Sequence, residues 1–296
     1  MIKLITALIF RFRGVFVSRN KVVRPFLKWA GGKRQLLPEI KKYLPKIRSN
    51  NVYYEPFLGA GALLFELQPT KAVINDSNTG LISCYTVIKD WVEELILDLK
   101  KHKNDPTYYY EIRDWDRSDD YQNISLVEKA SRIIYLNKTC YNGLFRVNSQ
   151  GQFNVPFGKY KNPNILEDAV LRAVSNYLKN NDIKILNTDF QEAVKTAKKG
   201  DFVYFDPPYD PVSNTASFTG YDINGFDKND QKRLKEVFID LTERGCNVML
   251  SNSLTPFTES LYREYSYIKV NATRNINSNA LKRGRVEEIL VLNYQP

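Results

Sequence analysis

The stretch VYFDPPYD, Val203–Asp210, places a carboxylate behind four apolar or aromatic residues and directly ahead of two prolines and a tyrosine. These residue types can activate an aromatic amine. Such an amine is a poor nucleophile because its lone pair is delocalised into the ring. The Asp206 carboxylate and the main-chain carbonyl of Pro207 can accept both amino hydrogens, which localises the lone pair toward an electrophilic carbon by orientation and electrostatics. Proline suits the task because its φ is fixed. Tyr209 adds a ring face on which an extruded base can stack. The tetrapeptide alone also fits a plain strand-ending turn. No imidazole is required, and the single histidine, His102, excludes a two-His metal site.

A second constellation lies in VYYEPFLGAGALLFEL, residues 52–67, which has the order strand, glycine loop, helix start. Gly59 and Gly61 allow close backbone approach to a ligand, and a helix amino end favours polar or negative groups. The dinucleotide fingerprint has a third glycine, but position 64 is Leu64. Asp76 stands 17 residues after Gly59, at the end of the next strand-like run. A carboxylate there can accept both hydroxyls of a ribose. The pair points to an adenosine-type cofactor, either nicotinamide dinucleotide or S-adenosylmethionine. Near the start, PFLKWAGGKRQLL sets Trp29, a Gly31-Gly32 turn and Lys33 before a helix. It matters only if it borders the glycine loop in space.

Seven strand-like runs must position these groups: 52–57, 72–76, 183–190, 202–207, 247–252, 267–273 and 287–294. Helical periodicity lies between most of them, as in 227–244 and 254–265. The alternation predicts an α/β fold with a doubly wound, mainly parallel sheet covered on both faces. Several runs end in Asp or Asn, which gathers polar groups at the sheet edge where such folds bind ligands. The alternation breaks between Gly80 and Leu166, where YNGLFRVNSQGQFNVPFGKYKNP has the punctuation of an irregular hairpin. From Lys129 to Leu166 there are six basic residues and no acid, so an insert with a basic face is expected. The boundaries are an extension at 1–22, a catalytic domain at 23–80 and 166–296, and an inserted recognition subdomain at 81–165.

A formal charge of +10 with 19 Tyr and 16 Phe among 296 residues suits a polyanion partner with stackable bases. Cys84, Cys140 and Cys246 have no metal or disulfide spacing, which predicts no metal and a reducing cytoplasm. The apolar run Leu4–Phe10 stops at Arg11 without a cleavage signature, and no window approaches a membrane span.

Six motifs, FLKWAGGK, EPFLGAGALLFEL, INDSN, NTDF, YFDPPY and YNGLFRVN…GQFNVPFGKYKNP, occur in family order between about Arg24 and Tyr294. Together they resemble the Dam-type DNA adenine-N6 methyltransferases, above all the GATC-modifying enzymes of restriction-modification systems. The resemblance implies a seven-stranded sheet with its last strand antiparallel, S-adenosylmethionine as methyl donor, and adenine flipped from 5′-GATC-3′ in duplex DNA. It implies that Trp29, Lys33, Glu55, Phe57, Gly59, Gly61 and Asp76 surround the cofactor. Asp189 and Phe190 would frame its adenine, and Asp206 would touch both cofactor and target amine, with Pro207 and Tyr209 completing the catalytic turn. On the DNA side, Lys28 would lie near the outer guanine and Tyr141 would wedge into the duplex. Arg146 would read a guanine, whose two acceptors suit a bidentate fork. Leu144 and Pro156 would meet a thymine methyl, with Asn142, Asn148 and Tyr160 beside them. PVSNTASFTGY would close over the flipped base, and Arg274, Lys282, Arg283 and Arg285 would contact phosphates. Val147 replaces an aromatic of some relatives, and the first 22 residues have no recognised counterpart. The resemblance leaves open whether a cognate restriction endonuclease acts beside it.

Other readings explain less. A dehydrogenase shares the glycine loop and ribose carboxylate but leaves the DPPY turn and the basic insert unexplained. Cytosine-C5 methyltransferases need a cysteine after proline, whereas Ser83, Thr139 and Gly245 precede the three cysteines here. Cytosine-N4 enzymes usually carry serine at the position of Asp206. A non-catalytic DNA-binding relative would be expected to lose Asp206 or Asp76.

Overall fold

Strand pairing in the computed structural model, which describes residues 19–29, 33–211, 225–273 and 285–296, confirms the α/β expectation. The strands are β1 Tyr53–Glu55, β2 Lys71–Asn75, β3 Asp182–Leu186, β4 Phe202–Phe205, β5 Asn247–Ser253, β6 Ser266–Thr273 and β7 Arg285–Leu292. They form one seven-stranded sheet in the order β3-β2-β1-β4-β5-β7-β6. Strands β1 to β5 pair in parallel, and β7 runs antiparallel to both β5 and β6.

Side-chain alternation explains why the strands read as continuous apolar runs. Tyr53, Phe202 and Tyr204 enter one core, while Tyr54, Val203 and Phe205 enter the other. Successive side chains of a strand point to opposite faces, so a strand covered on both sides must be apolar throughout. The helices are α1 Leu37–Ile40, α2 Ala62–Leu67, α3 Thr79–Asp90, α4 Val92–Leu99, α5 Pro106–Asp114, α6 Leu126–Thr139, α7 Asp168–Asn180, α8 Phe190–Ala193, α9 Lys228–Glu243 and α10 Pro256–Leu261. Helices α2, α3, α4 and α7 contribute to the first core, and α9 supplies Leu234, Phe238 and Leu241 to the second. A third, separate cluster joins Tyr109 and Ile112 of α5, Tyr135 and Leu136 of α6, and Phe153 and Val155 of the hairpin.

Two expectations change in detail. The run 183–190 is a strand only to Leu186, because Asp189 caps α8 with its side chain accepting from the Gln191 amide. Short polar side chains compete for local backbone bonds in this way and end regular elements. The basic count of the insert also overstates its free charge. Arg132 is buried against the carbonyls of Ile112 and Arg113 and the Asp116 carboxylate, and Lys138 pairs with Glu167. His102 is structural: it stacks on Tyr135 at 4.3 Å and bonds Tyr108 and Ser131. Burial holds its imidazole down, at about 4, in the neutral form.

Candidate active site and nucleic-acid interface

The carboxyl ends of β1, β2, β3 and β4 meet at one sheet edge, and at or just beyond each end stands a carboxylate named above: Glu55, Asp76, Asp189 and Asp206. Asn75, buried at the end of β2, ties this edge together: its amide donates to the carbonyls of Pro56 and Thr188, and its oxygen accepts from the Thr188 amide. After β1, Gly59 and Gly61 adopt φ of +51° and +66°, conformations that favour glycine. The Gly59 amide donates to Asp76 Oδ2 at 2.9 Å, and Tyr85 donates to the Gly59 carbonyl at 3.0 Å. Asp76 Oδ1 also accepts from the Asn78 amide at 3.0 Å.

Trp29 does border the glycine loop. A Cβ added to Gly59 would lie 3.1 Å from Trp29 Cδ1, so the indole is packed directly on the turn. Phe57 and Phe190 stack at 5.4 Å, and Phe226 meets Phe57 edge-on at 5.6 Å. The Arg233 guanidinium lies over the Phe190 ring and donates to Asp189 Oδ2. Glu55 sits deeper, with its carboxyl 2.8 Å from the Tyr53 hydroxyl and accepting from the Leu64 amide at the start of α2. Burial pushes its carboxyl up to about 8, and the nearby Asp206 and Asp76 add to the rise. Folded Glu55 therefore holds a proton that the unfolded chain releases above about 4.5, so its contribution to stability is present at low pH and lost as pH rises through about 8. Thermal unfolding across that window should show the Glu55→Gln variant gaining on the parent as pH rises, by on the order of 3–5 kcal/mol. Parallel stability curves would show that Glu55 is ionised.

Asp206 leaves β4 beside β1, at the same edge as the glycine loop. Lys33 Nζ reaches its Oδ1 at 2.7 Å, and Ser251 Oγ donates to the same oxygen at 3.0 Å. The same ammonium lies 4.4 Å from the centre of the Tyr209 ring, whose hydroxyl donates to Glu288 of β7 at 2.9 Å. Burial lifts the Asp206 carboxyl above the usual aspartate range, while Lys33 and the hydrogen bonds from Lys33, Ser251 and Tyr209 pull it back toward ionisation. The turn itself is bolted in place. Gln231 donates to the Pro208 carbonyl, Asn252 accepts from the Asp210 amide, and Thr255 donates to Asp210. Pro207 is buried within that turn.

The hairpin residues named above for DNA contact lie at or near the protein surface. Tyr141 is 52% exposed, and its amide donates to the Pro156 carbonyl at 2.8 Å. Asn142 is exposed at φ +56°, and Leu144 is half-buried. Arg146 is exposed, with Nε 2.7 Å from Asn154 Oδ1 and Nη2 3.1 Å from the Asn154 carbonyl. One side of the guanidinium is thus anchored, and its remaining donors form a preoriented fork. Lys28 joins them, with Nζ over the Tyr160 ring at 5.0 Å. Asn148 stands apart: its side chain caps the hairpin tip, bonding the amides of Gln150 and Gln152 and the Gln152 side chain. Arg274, Lys282, Arg283 and most of PVSNTASFTGY lie outside the described residues; Arg285 opens β7. Among the described residues, no cluster of three or more His, Cys, Asp or Glu could hold a metal, and no helix is long and apolar enough to cross a membrane.

Ser251, Asn252, Gln231, Glu288 and Arg233 were not singled out from sequence. The polar end of NVMLSN was a visible signal for the first two. Nothing local marks Gln231, Arg233 or Glu288, which sit within ordinary amphipathic or strand patterns.

Comparison with known proteins agrees with this architecture. The family model described as D12 class N6 adenine-specific DNA methyltransferase matches residues 29–276. The Type II methyltransferase M1.LlaDCHI of Lactococcus lactis subsp. cremoris is 49% identical, covering 94% of this chain and 98% of the relative. The Type II methyltransferase M.MjaIII of Methanocaldococcus jannaschii is 42% identical over 92% of this chain and 99% of its own length. The DNA adenine methylase of Escherichia coli K12 is 35% identical over 92% and 96%, respectively. A carboxylate-proline-proline-tyrosine turn beside a glycine loop, carried on this sheet and matched over nearly its whole length, leads to one conclusion: the chain belongs to the D12 class N6 adenine-specific DNA methyltransferases.

Proposed function

We propose that the enzyme transfers a methyl group from S-adenosylmethionine to N6 of an adenine flipped out of 5′-GATC-3′ in duplex DNA. The observation that carries this reading is the Lys33–Asp206 pair at 2.7 Å, which joins the tryptophan segment of the glycine-loop pocket to the DPPY turn.

The residues present fit an adenosine-type group. Trp29 packed on Gly59, the Asp76 carboxylate at the loop, and the Phe57–Phe190 stack beside Asp189 offer an indole wall, a ribose acceptor and an aromatic slot. When bound, S-adenosylmethionine supplies an electrophilic methyl on a sulfonium. The chain's own part is to orient the amine: Asp206 and the Pro207 carbonyl take its two hydrogens, and Tyr209, tethered by Glu288, presents its ring to the base. Flipping exposes an amine that is otherwise inside the stack.

The GATC site is supported by the match of the hairpin motif to GATC-modifying enzymes, and by an anchored Arg146 fork suited to guanine. The 81–165 segment is the proposed recognition subdomain, and the separate core of Tyr109, Tyr135 and Phe153 supports this from α5 onward, whereas α3 and α4 pack in the first core. Two relatives are named Type II methyltransferases, which favours a cognate restriction endonuclease as a functional partner in the cytoplasm.

Plasmid DNA incubated with the enzyme and methyl donor should resist a GATC-cutting nuclease blocked by N6-methyladenine and become sensitive to one that requires it. Methylation elsewhere, or on cytosine, would refute the site or the base. A 2-aminopurine placed at the target adenine should brighten on binding, and unchanged fluorescence would refute flipping.

A further inference from the structure

One ring links the two halves of the site. The Trp29 indole that covers Gly59 stacks its other contact on Phe145, with centroids 4.8 Å apart and planes 28° apart. Phe145 lies between Leu144 and Arg146, inside the segment read as contacting DNA. Arg146 is held toward Asn154, while the Phe145 side chain packs on Trp29 and meets Phe153 edge-on at 5.7 Å.

The surrounding contacts make this a fixed register rather than a chance touch. The buried Asn137 accepts from the Lys28 amide at 2.9 Å and donates to the carbonyls of Lys28 at 2.7 Å and Gly143 at 3.2 Å. Gly143, at φ +63°, lies so close that an added Cβ would sit 2.5 Å from Lys28 Cδ. Lys28, one residue before Trp29, and Gly143, two residues before Phe145, are therefore clamped to each other, and the two rings meet just beyond.

We propose that Phe145 is a positioning residue that couples DNA recognition to cofactor binding: docking of the Leu144–Arg146 segment on its site holds Trp29 against the glycine loop. This rests on the reading of Trp29 as a cofactor wall and of that segment as DNA-contacting. Because coupling between binding sites is reciprocal, the cofactor must strengthen binding of the cognate duplex by the same factor. A single aromatic pair sets its scale at about two- to tenfold.

The test is calorimetric titration of the full chain with S-adenosylhomocysteine, alone and with saturating GATC duplex. The parent should bind it about two- to tenfold more tightly with duplex. Phe145→Leu should bring the ratio close to one, and Phe145→Tyr, which keeps the ring, should restore it. Equal ratios in the parent and Phe145→Leu, or a parent ratio of one, would overturn the coupling while leaving the cofactor site intact. Trp29→Ala distinguishes the underlying reading: weakened S-adenosylhomocysteine binding upholds it, and unchanged binding refutes the cofactor wall and the coupling with it.

Discussion

Asp206→Ala is expected to lower kcat by at least two to three orders of magnitude, about 3–4 kcal/mol of transition-state stabilisation, while duplex affinity stays within about twofold. In the proposed mechanism the carboxylate acts on the amine only as it becomes nucleophilic, whereas DNA is held through groups elsewhere. The replacement also removes the 2.7 Å carboxylate partner of Lys33, 7% exposed, and breaking a buried ion pair destabilises. Asp206→Asn, which keeps the volume, therefore belongs beside it, with thermal unfolding to show that both variants fold. Single-turnover methylation checks the rate, and near-parental turnover in both would end the amine-activation role. The pH profile gives a second readout. Burial raises the Asp206 carboxyl above the usual aspartate range, so the acid limb of kcat should lie above that range. Lys33 pulls in the opposite direction, so Lys33→Met should move the limb to higher pH. A limb that stays put would assign it to another group.

Arg146→Ala should cost about 1–3 kcal/mol of discrimination at a single guanine, seen as kcat/KM on GATC converging with kcat/KM on a site altered at that guanine. Its guanidinium is anchored through Nε and Nη2 to Asn154, so little orientational freedom is lost on reading the base. A base contact carries no phosphate, so the dependence of affinity on salt should remain nearly unchanged. A steep loss of salt dependence with intact specificity would reassign Arg146 to the backbone of the DNA.

Much of the fold was legible because its signals are local. Tyr53 and Tyr54, or Val203 and Tyr204, are neighbours in sequence that enter opposite cores; a strand covered on both faces shows itself as an unbroken apolar run. The boundaries were less legible where polar residues cap. The run 183–190 reads as strand to its end, yet Asp189 caps α8, its side chain accepting from a helix amide. Charge was legible only as a count. Arg132 and Lys138 look like part of a basic face, yet both are consumed by internal partners.

By itself the sequence determined which chemistry is present: an acid before two prolines, glycines after a strand, and a carboxylate one strand later, each specified by short-range spacing. Only the tertiary structure decided who meets whom. Lys33 on Asp206, Glu288 on Tyr209 and Phe145 on Trp29 are contacts between distant segments. They depend on strand order and on how the hairpin closes over the sheet edge. Periodicity reports which side of an element faces inward, and it carries no information about which element waits there.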